Sequence, residues 1–199
     1  IALRPDLVLS SRHNALATRE ALRKLNIRIE TFGVPGSVAE SRKQVIKVAD
    51  LLGYPERGEA LLKRIDAAFD AAAPRPGMRR PSALVFQSNG FTAGTDTLVG
   101  ELLTRAGFEN AAGRFGFRKW GNLRLEQVLA DPPDLVIGGQ RTAGAPTWAD
   151  RIGRHPALAR IEHRMKRDVV PEGLLFCGGS VFIPAMARLA AVRDRYLTE

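Results

Sequence analysis

The stretch Pro5-Asp6-Leu7-Val8-Leu9 near the start of the chain returns far downstream as Pro133-Asp134-Leu135-Val136-Ile137. In both copies a Pro-Asp turn feeds a short run of leucine and β-branched residues, which reads as a buried strand of a parallel sheet. A helical stretch over Leu123 to Ala130 precedes the second copy, and Ile1-Ala2-Leu3 is the last fragment of its counterpart. Each copy is followed by a helix and a further short strand: Ala15 to Leu25 then Ile27 to Phe32, and Thr147 to Ile152 then Asp168 to Val170. Two copies of one α/β unit this far apart predict two similar lobes and exclude a solenoid.

The segment between the copies carries clear helix signals. Ser37-Val38-Ala39-Glu40 forms a capping box, after which Val45, Val48, Ala49 and Leu52 fall on one face. Gly53 and Pro55 end that helix, and a long one over about Glu56 to Ala73 follows, with Leu61, Ile65, Ala68, Phe69 and Ala72 at helical spacing. Pro74-Arg75-Pro76-Gly77 stops it, and Ala83-Leu84-Val85-Phe86 begins a new strand. The expected division is therefore 1–55, part of a first lobe; 56–76, a connecting helix and break; and 77–199, a second lobe. Within the last, a helix capped by Asp96 and ended by Gly107 is expected, and a final helix over Pro184 to Leu197. The fold class is α/β, two Rossmann-like lobes with parallel sheets joined by one long helix, the first lobe incomplete.

Composition narrows function by exclusion. The net charge is +9, from 30 basic and 21 acidic residues, but the arginines are scattered and interspersed with acids. No zinc-finger spacing, basic stripe or aromatic ribonucleoprotein strand accompanies them, so no nucleic-acid partner is expected. A single cysteine, Cys177, excludes a disulfide framework and a Cys-rich zinc site. Nucleophile elbow, His-Glu-x-x-His, Walker loop and Gly-x-Gly-x-x-Gly are all missing, so the chain does not read as an enzyme. The acids and histidines do not cluster with ligand spacing, so neither a metal site nor a cofactor is expected. A nucleotide-using Rossmann-like enzyme stays as the alternative from another class.

Parallel α/β folds bind ligands at the carboxyl ends of their strands. The loops at those ends are Ser10-Ser11-Arg12-His13-Asn14, Gln87-Ser88-Asn89-Gly90-Phe91-Thr92, Gly138-Gly139-Gln140-Arg141 and Glu172-Gly173-Leu174-Leu175-Phe176. A further loop, Phe115-Gly116-Phe117-Arg118-Lys119-Trp120, is aromatic and basic together. Exposed aromatics offer flat apolar contact to a ring-bearing ligand, and Arg12, Arg118 and Arg141 can neutralise anionic groups. The candidate ligand-binding residues are Ser11, Arg12, His13, Asn89, Phe91, Arg118, Trp120, Arg141 and Phe176.

The order of these features, with Phe91-Thr92-Ala93-Gly94 and Trp120 ahead of Leu125-Glu126-Gln127-Val128-Leu129, resembles the solute-binding proteins of ABC importers for iron–siderophore complexes, heme and cobalamin. The resemblance spans essentially the whole chain. It implies a ligand held in a cleft between two nearly rigid lobes, a periplasmic location and a membrane permease as partner. Glu126 matches the second-lobe glutamate that meets a permease arginine in this family. Trp120, Phe91 and Phe176 match cleft-lining positions of the cobalamin-binding relatives. Ser11 stands where those relatives have an aromatic, which points away from cobalamin. The expected ligand is an anionic ferric siderophore, with heme next; for heme, Tyr54 and Tyr196 sit at helix ends and His13 is the candidate iron ligand. The resemblance also implies a further stretch before Ile1, carrying a leader, the first strands of the first lobe and its docking glutamate.

Overall fold

A computed structural model describes residues 5–12, 16–87, 90–138 and 164–198. By internal contacts the chain separates into two compact units, residues 1–35 and 36–199. The helix after the capping box and the long helix both belong to the second unit, because they pack on each other and the long helix packs on the last helix of the chain.

The first unit contains strand β1 (Leu7–Ser11), helix α1 (Leu16–Lys24) and strand β2 (Arg28–Phe32). β1 and β2 run parallel, with Val8 opposite Ile29. Asn26, at φ 54°, takes the left-handed position that turns the chain out of α1, and the Ile27 N–H reaches back to the Leu22 carbonyl. The expected burial of β1 does not hold: Leu7 and Val8 are half-buried, and Leu9 is 44% exposed. Among the described residues β1 has one strand neighbour, β2, and α1 buries none of its residues, which leaves the strand open to solvent.

In the second unit a four-stranded parallel sheet has the order β5-β3-β7-β8, from β3 (Ser82–Val85), β5 (Glu109–Asn110), β7 (Leu135–Gly138) and β8 (Lys166–Val169). The two-residue period of the strands builds two cores. Ala83, Val85, Leu135 and Ile137 join one cluster with Ile65, Phe69, Leu102, Phe182 and Met186. Leu84 and Val136 join another with Ala111, Ala112, Leu123, Val128 and Met165. Covering on both faces explains why β3 and β7 read as unbroken apolar runs.

The helices are α2 (Val38–Leu51), α3 (Pro55–Ala72), α4 (Leu98–Arg105), α5 (Leu125–Ala130), α6 (Glu172–Phe176) and α7 (Phe182–Thr198). The Glu40 N–H donates to the Ser37 hydroxyl at 3.1 Å, as the capping box predicts, while the Glu40 carboxylate accepts from the Gly36 N–H at 2.7 Å. Leu52 departs from the expected apolar face: it lies past the last helical turn, as the C-cap, and is exposed. The cap of α4 also moves. Thr97, not Asp96, accepts from the Gly100 N–H at 3.1 Å, because the Asp96 carboxylate is held by Arg118. The expected helix over Thr147 to Ile152 lies outside the described residues.

Two polar groups tie the second unit together. Arg193 of α7, 4% exposed, donates from one guanidinium nitrogen to the carbonyls of Ala72 and Ala106, both at 2.7 Å. One buried cation thus satisfies the carboxyl ends of α3 and α4, where the helix dipoles favour positive charge. Asp134, the acid of the second Pro-Asp turn, accepts from the Ser82 N–H and hydroxyl at 2.7 and 2.9 Å, from Tyr196 at 3.0 Å and from Arg79 at 2.6 Å. Burial opposes its ionisation, yet these donors outweigh it and hold its carboxyl below the ordinary value.

Candidate aromatic binding site

The carboxyl ends of β3 and β8 deliver the site. After β3 the chain reverses through Gly90, whose φ of 73° and tight approach to the Leu123 backbone exclude a side chain, and enters β4 (Phe91–Ala93). β4 pairs antiparallel with β6 (Trp120–Asn122), in the register Phe91 to Asn122, Thr92 to Gly121 and Ala93 to Trp120. Alternation splits this ribbon into two faces. Thr92 turns inward, is fully buried and donates its hydroxyl to the Val85 carbonyl at 2.7 Å. Gly121 lies across from it with the Phe117 ring packed so closely that a Cβ would strike it.

Phe91 and Trp120 therefore share the outer face as diagonal neighbours. Their ring planes lie within 3° of parallel, with centroids 5.3 Å apart, an offset stack. Phe91 is 37% and Trp120 45% exposed, so the pair is anchored yet presented to solvent. Phe176, the last residue of α6, brings a third ring to 5.7 Å from Trp120, tilted by 41°. It also packs against the main core. Three of the nine candidate ligand residues, from three distant segments, meet in one cluster.

The charged candidates do not all join it. Arg118 is paired with Asp96: its Nε donates to the carboxylate at 2.8 Å, and the Lys119 ammonium donates to the Asp96 carbonyl at 3.0 Å. The Arg118 hydrogen bond is the leading cause of an Asp96 carboxyl held below its ordinary value. The basic-aromatic loop is not an open loop but a segment stitched along the ribbon, with Gly94 N–H to Lys119 carbonyl and Asp96 N–H to Arg118 carbonyl at 3.0 and 2.7 Å. Phe115 and Phe117 pack inward against the second core cluster. Ser11 and Arg12 are exposed in the first unit at the end of β1, with the Arg12 guanidinium over Gly33. His13, Asn89 and Arg141 lie outside the described residues.

Glu126 is exposed in the first turn of α5. Among the described residues no three His, Cys, Asp or Glu side chains converge as a metal site, and no helix is long and apolar enough to cross a membrane. Tyr54 is exposed at the start of α3, and Tyr196 is engaged by Asp134. Asn122 sits directly across from Phe91 in the ribbon.

Known proteins align with this arrangement. The model of the family described as periplasmic binding protein matches residues 1–170. A cobalamin-binding protein of Halobacterium salinarum is 26% identical over 143 residues, 70% of this chain and 39% of that relative. The chain thus spans about two fifths of the length of the curated relatives it matches. Among solved structures, the apo periplasmic heme-binding protein RhuT of Roseiflexus sp. RS-1 superposes with a TM-score of 0.80 at 24% identity, covering 98% of this chain and 78% of that one. A periplasmic heme-binding protein of Pseudomonas aeruginosa gives 0.72 at 26%, over 96% and 72%.

Proposed function

Since the chain belongs to the periplasmic binding protein family, we propose that it is the substrate-binding component of an ABC importer and that its ligand is a flat tetrapyrrole metal chelate of the heme type. The observation that carries this reading is the exposed stack of Phe91 on Trp120 with Phe176 tilted beside it. Such rings give a broad planar ligand apolar contact at little loss of side-chain entropy. A compact, anionic ferric siderophore, the first expectation from the sequence, would draw mainly on cations. Arg118, the candidate cation next to the stack in sequence, is already paired with Asp96, which favours the flat ligand over the anionic one. The heme-binding names of the aligned structures agree with this order.

In this reading the protein works in the periplasm, binds and releases without chemistry, and hands its cargo to a membrane permease. Glu126 is the docking residue of the second lobe. Its carboxylate is exposed, and its place in the first turn of α5 suits negative charge there.

Calorimetric titration of the protein with hemin, a ferric catecholate siderophore and cyanocobalamin tests the ligand. Hemin is expected to bind most tightly, and Trp120→Ala to weaken it by about tenfold to a hundredfold, the loss of one large aromatic contact. Binding of the siderophore alone would reverse the order of ligands, and binding of none would remove the reading.

A further inference from the structure

We infer that Ser41 of α2 is a positioning residue of the aromatic site: its hydroxyl grips the glycine turn behind Phe176 and so sets how that ring meets Trp120. The inference rests on the proposed ring-ligand function. Ser41 is 2% exposed and accepts from the Gly179 N–H at 2.8 Å, a bond between segments 138 positions apart. Phe91 and Trp120 are held by the register of the β4–β6 ribbon, whereas Phe176 is the ring of the three that the ribbon does not carry. Its placement needs a separate device.

Upstream of the ring, Val170 and Leu175 are fully buried and anchor α6. Downstream the chain leaves α6 through the exposed, extended Cys177 and then Gly178 and Gly179, the latter at φ 67°. Two successive glycines have no Cβ to restrict them, so contacts and not local sterics define the bend between α6 and α7. Gly179 opens a single 3-10 turn (Gly179–Val181) that runs into α7, and the first N–H groups of such a start need partners from elsewhere. Gly178, at the cap position, has no side chain to supply one. Ser41 supplies it from α2, and Val45, one helical turn further on, lies beside the same glycine. α2 is a firm support for this grip, because its Val38 N–H donates to the Glu101 carboxylate of α4 at 2.8 Å and its side packs on α3. The gripped amide is three residues from Phe176, so the bond reaches the ring through a very short stretch of chain.

The test is a double-mutant cycle of Ser41→Ala and Phe176→Ala, built on Trp148→Phe so that Trp120 is the single tryptophan. Without ligand, Ser41→Ala is expected to raise acrylamide quenching of Trp120 toward the level seen in Phe176→Ala, since the neighbouring ring no longer holds its place. With hemin as probe, Ser41→Ala should weaken binding about threefold to tenfold when Phe176 is present, the worth of one hydrogen bond, and less than about twofold when Phe176 is already alanine. A loss that is equal in both backgrounds would make Ser41 a general structural tie and overturn the positioning role. So would Trp120 quenching unchanged by Ser41→Ala. If the quenching responds as expected but the protein binds no hemin, the placement of the ring by Ser41 is upheld and the ring-ligand function is overturned.

Discussion

The same four residues, Pro-Asp-Leu-Val, lead into β1 and β7, and they end in opposite surroundings. In β7, Leu135, Val136 and Ile137 are at most 9% exposed, because the strand lies between β3 and β8 with side chains packed on both faces. In β1 the corresponding residues are half-buried or exposed; among the described residues β2 is its one sheet neighbour and α1 buries none of its residues. The acids differ in the same way: Asp6 is exposed, whereas Asp134 gathers Ser82, Arg79 and Tyr196. An apolar strand motif specifies a strand. Whether that strand stabilises anything is decided by what covers it.

Substitutions in matched positions sharpen this contrast. Ile137→Ala, at a fully buried position, should lower the stability of the second unit by about 4 kcal/mol in urea denaturation. Arg193→Met should lower it by about 3 kcal/mol, since it strips the carbonyls of Ala72 and Ala106 of their shared donor inside the core. Asp134→Asn should remove about 2 kcal/mol near neutral pH.

That last effect depends on pH. The Asp134 carboxyl sits lower in the folded state than its ordinary value of 3.8, so its contribution is present above that value and fades as acid carries the solution down through the folded one. Wild type and Asp134→Asn should therefore differ most above about pH 5 and converge as the pH falls through the lowered folded value. The smallest change is expected for Leu9→Ala, below about 1 kcal/mol, since Leu9 already lies largely in solvent. A loss at Leu9 as large as that at Ile137 would break the comparison, because it would show β1 buried in solution.

Much of this was legible beforehand, for local reasons. Ser37 with Glu40 announces a helix start whatever surrounds it, since the bonds span three or four residues. The apolar spacing of Leu61, Ile65, Phe69 and Ala72 fixes the buried face of α3, and Arg57, Lys63, Arg64 and Asp70 are exposed as that spacing requires. Phe91, Trp120 and Phe176 could be named as aromatics at strand ends. Their meeting could not, because 29 and 56 residues separate them in sequence and only the β4–β6 register and the placement of α6 bring them together.

Asp96 and Thr97 show where local reasoning runs out. Both are good cap residues in adjacent positions, and the sequence favours neither strongly. Arg118, 22 positions away, claims the carboxylate, and the cap falls to the threonine hydroxyl. Arg193 and Asp134 belong to the same class: each looks like a surface charge in sequence and becomes a tie between distant elements once burial turns its hydrogen bonds inward. The sequence by itself determined the capped start of α2 and the apolar face of α3, since those interactions close within a helical turn. The tertiary structure decided which charges are tied down and which rings form a site, since those contacts exist only where the fold juxtaposes segments far apart in the chain.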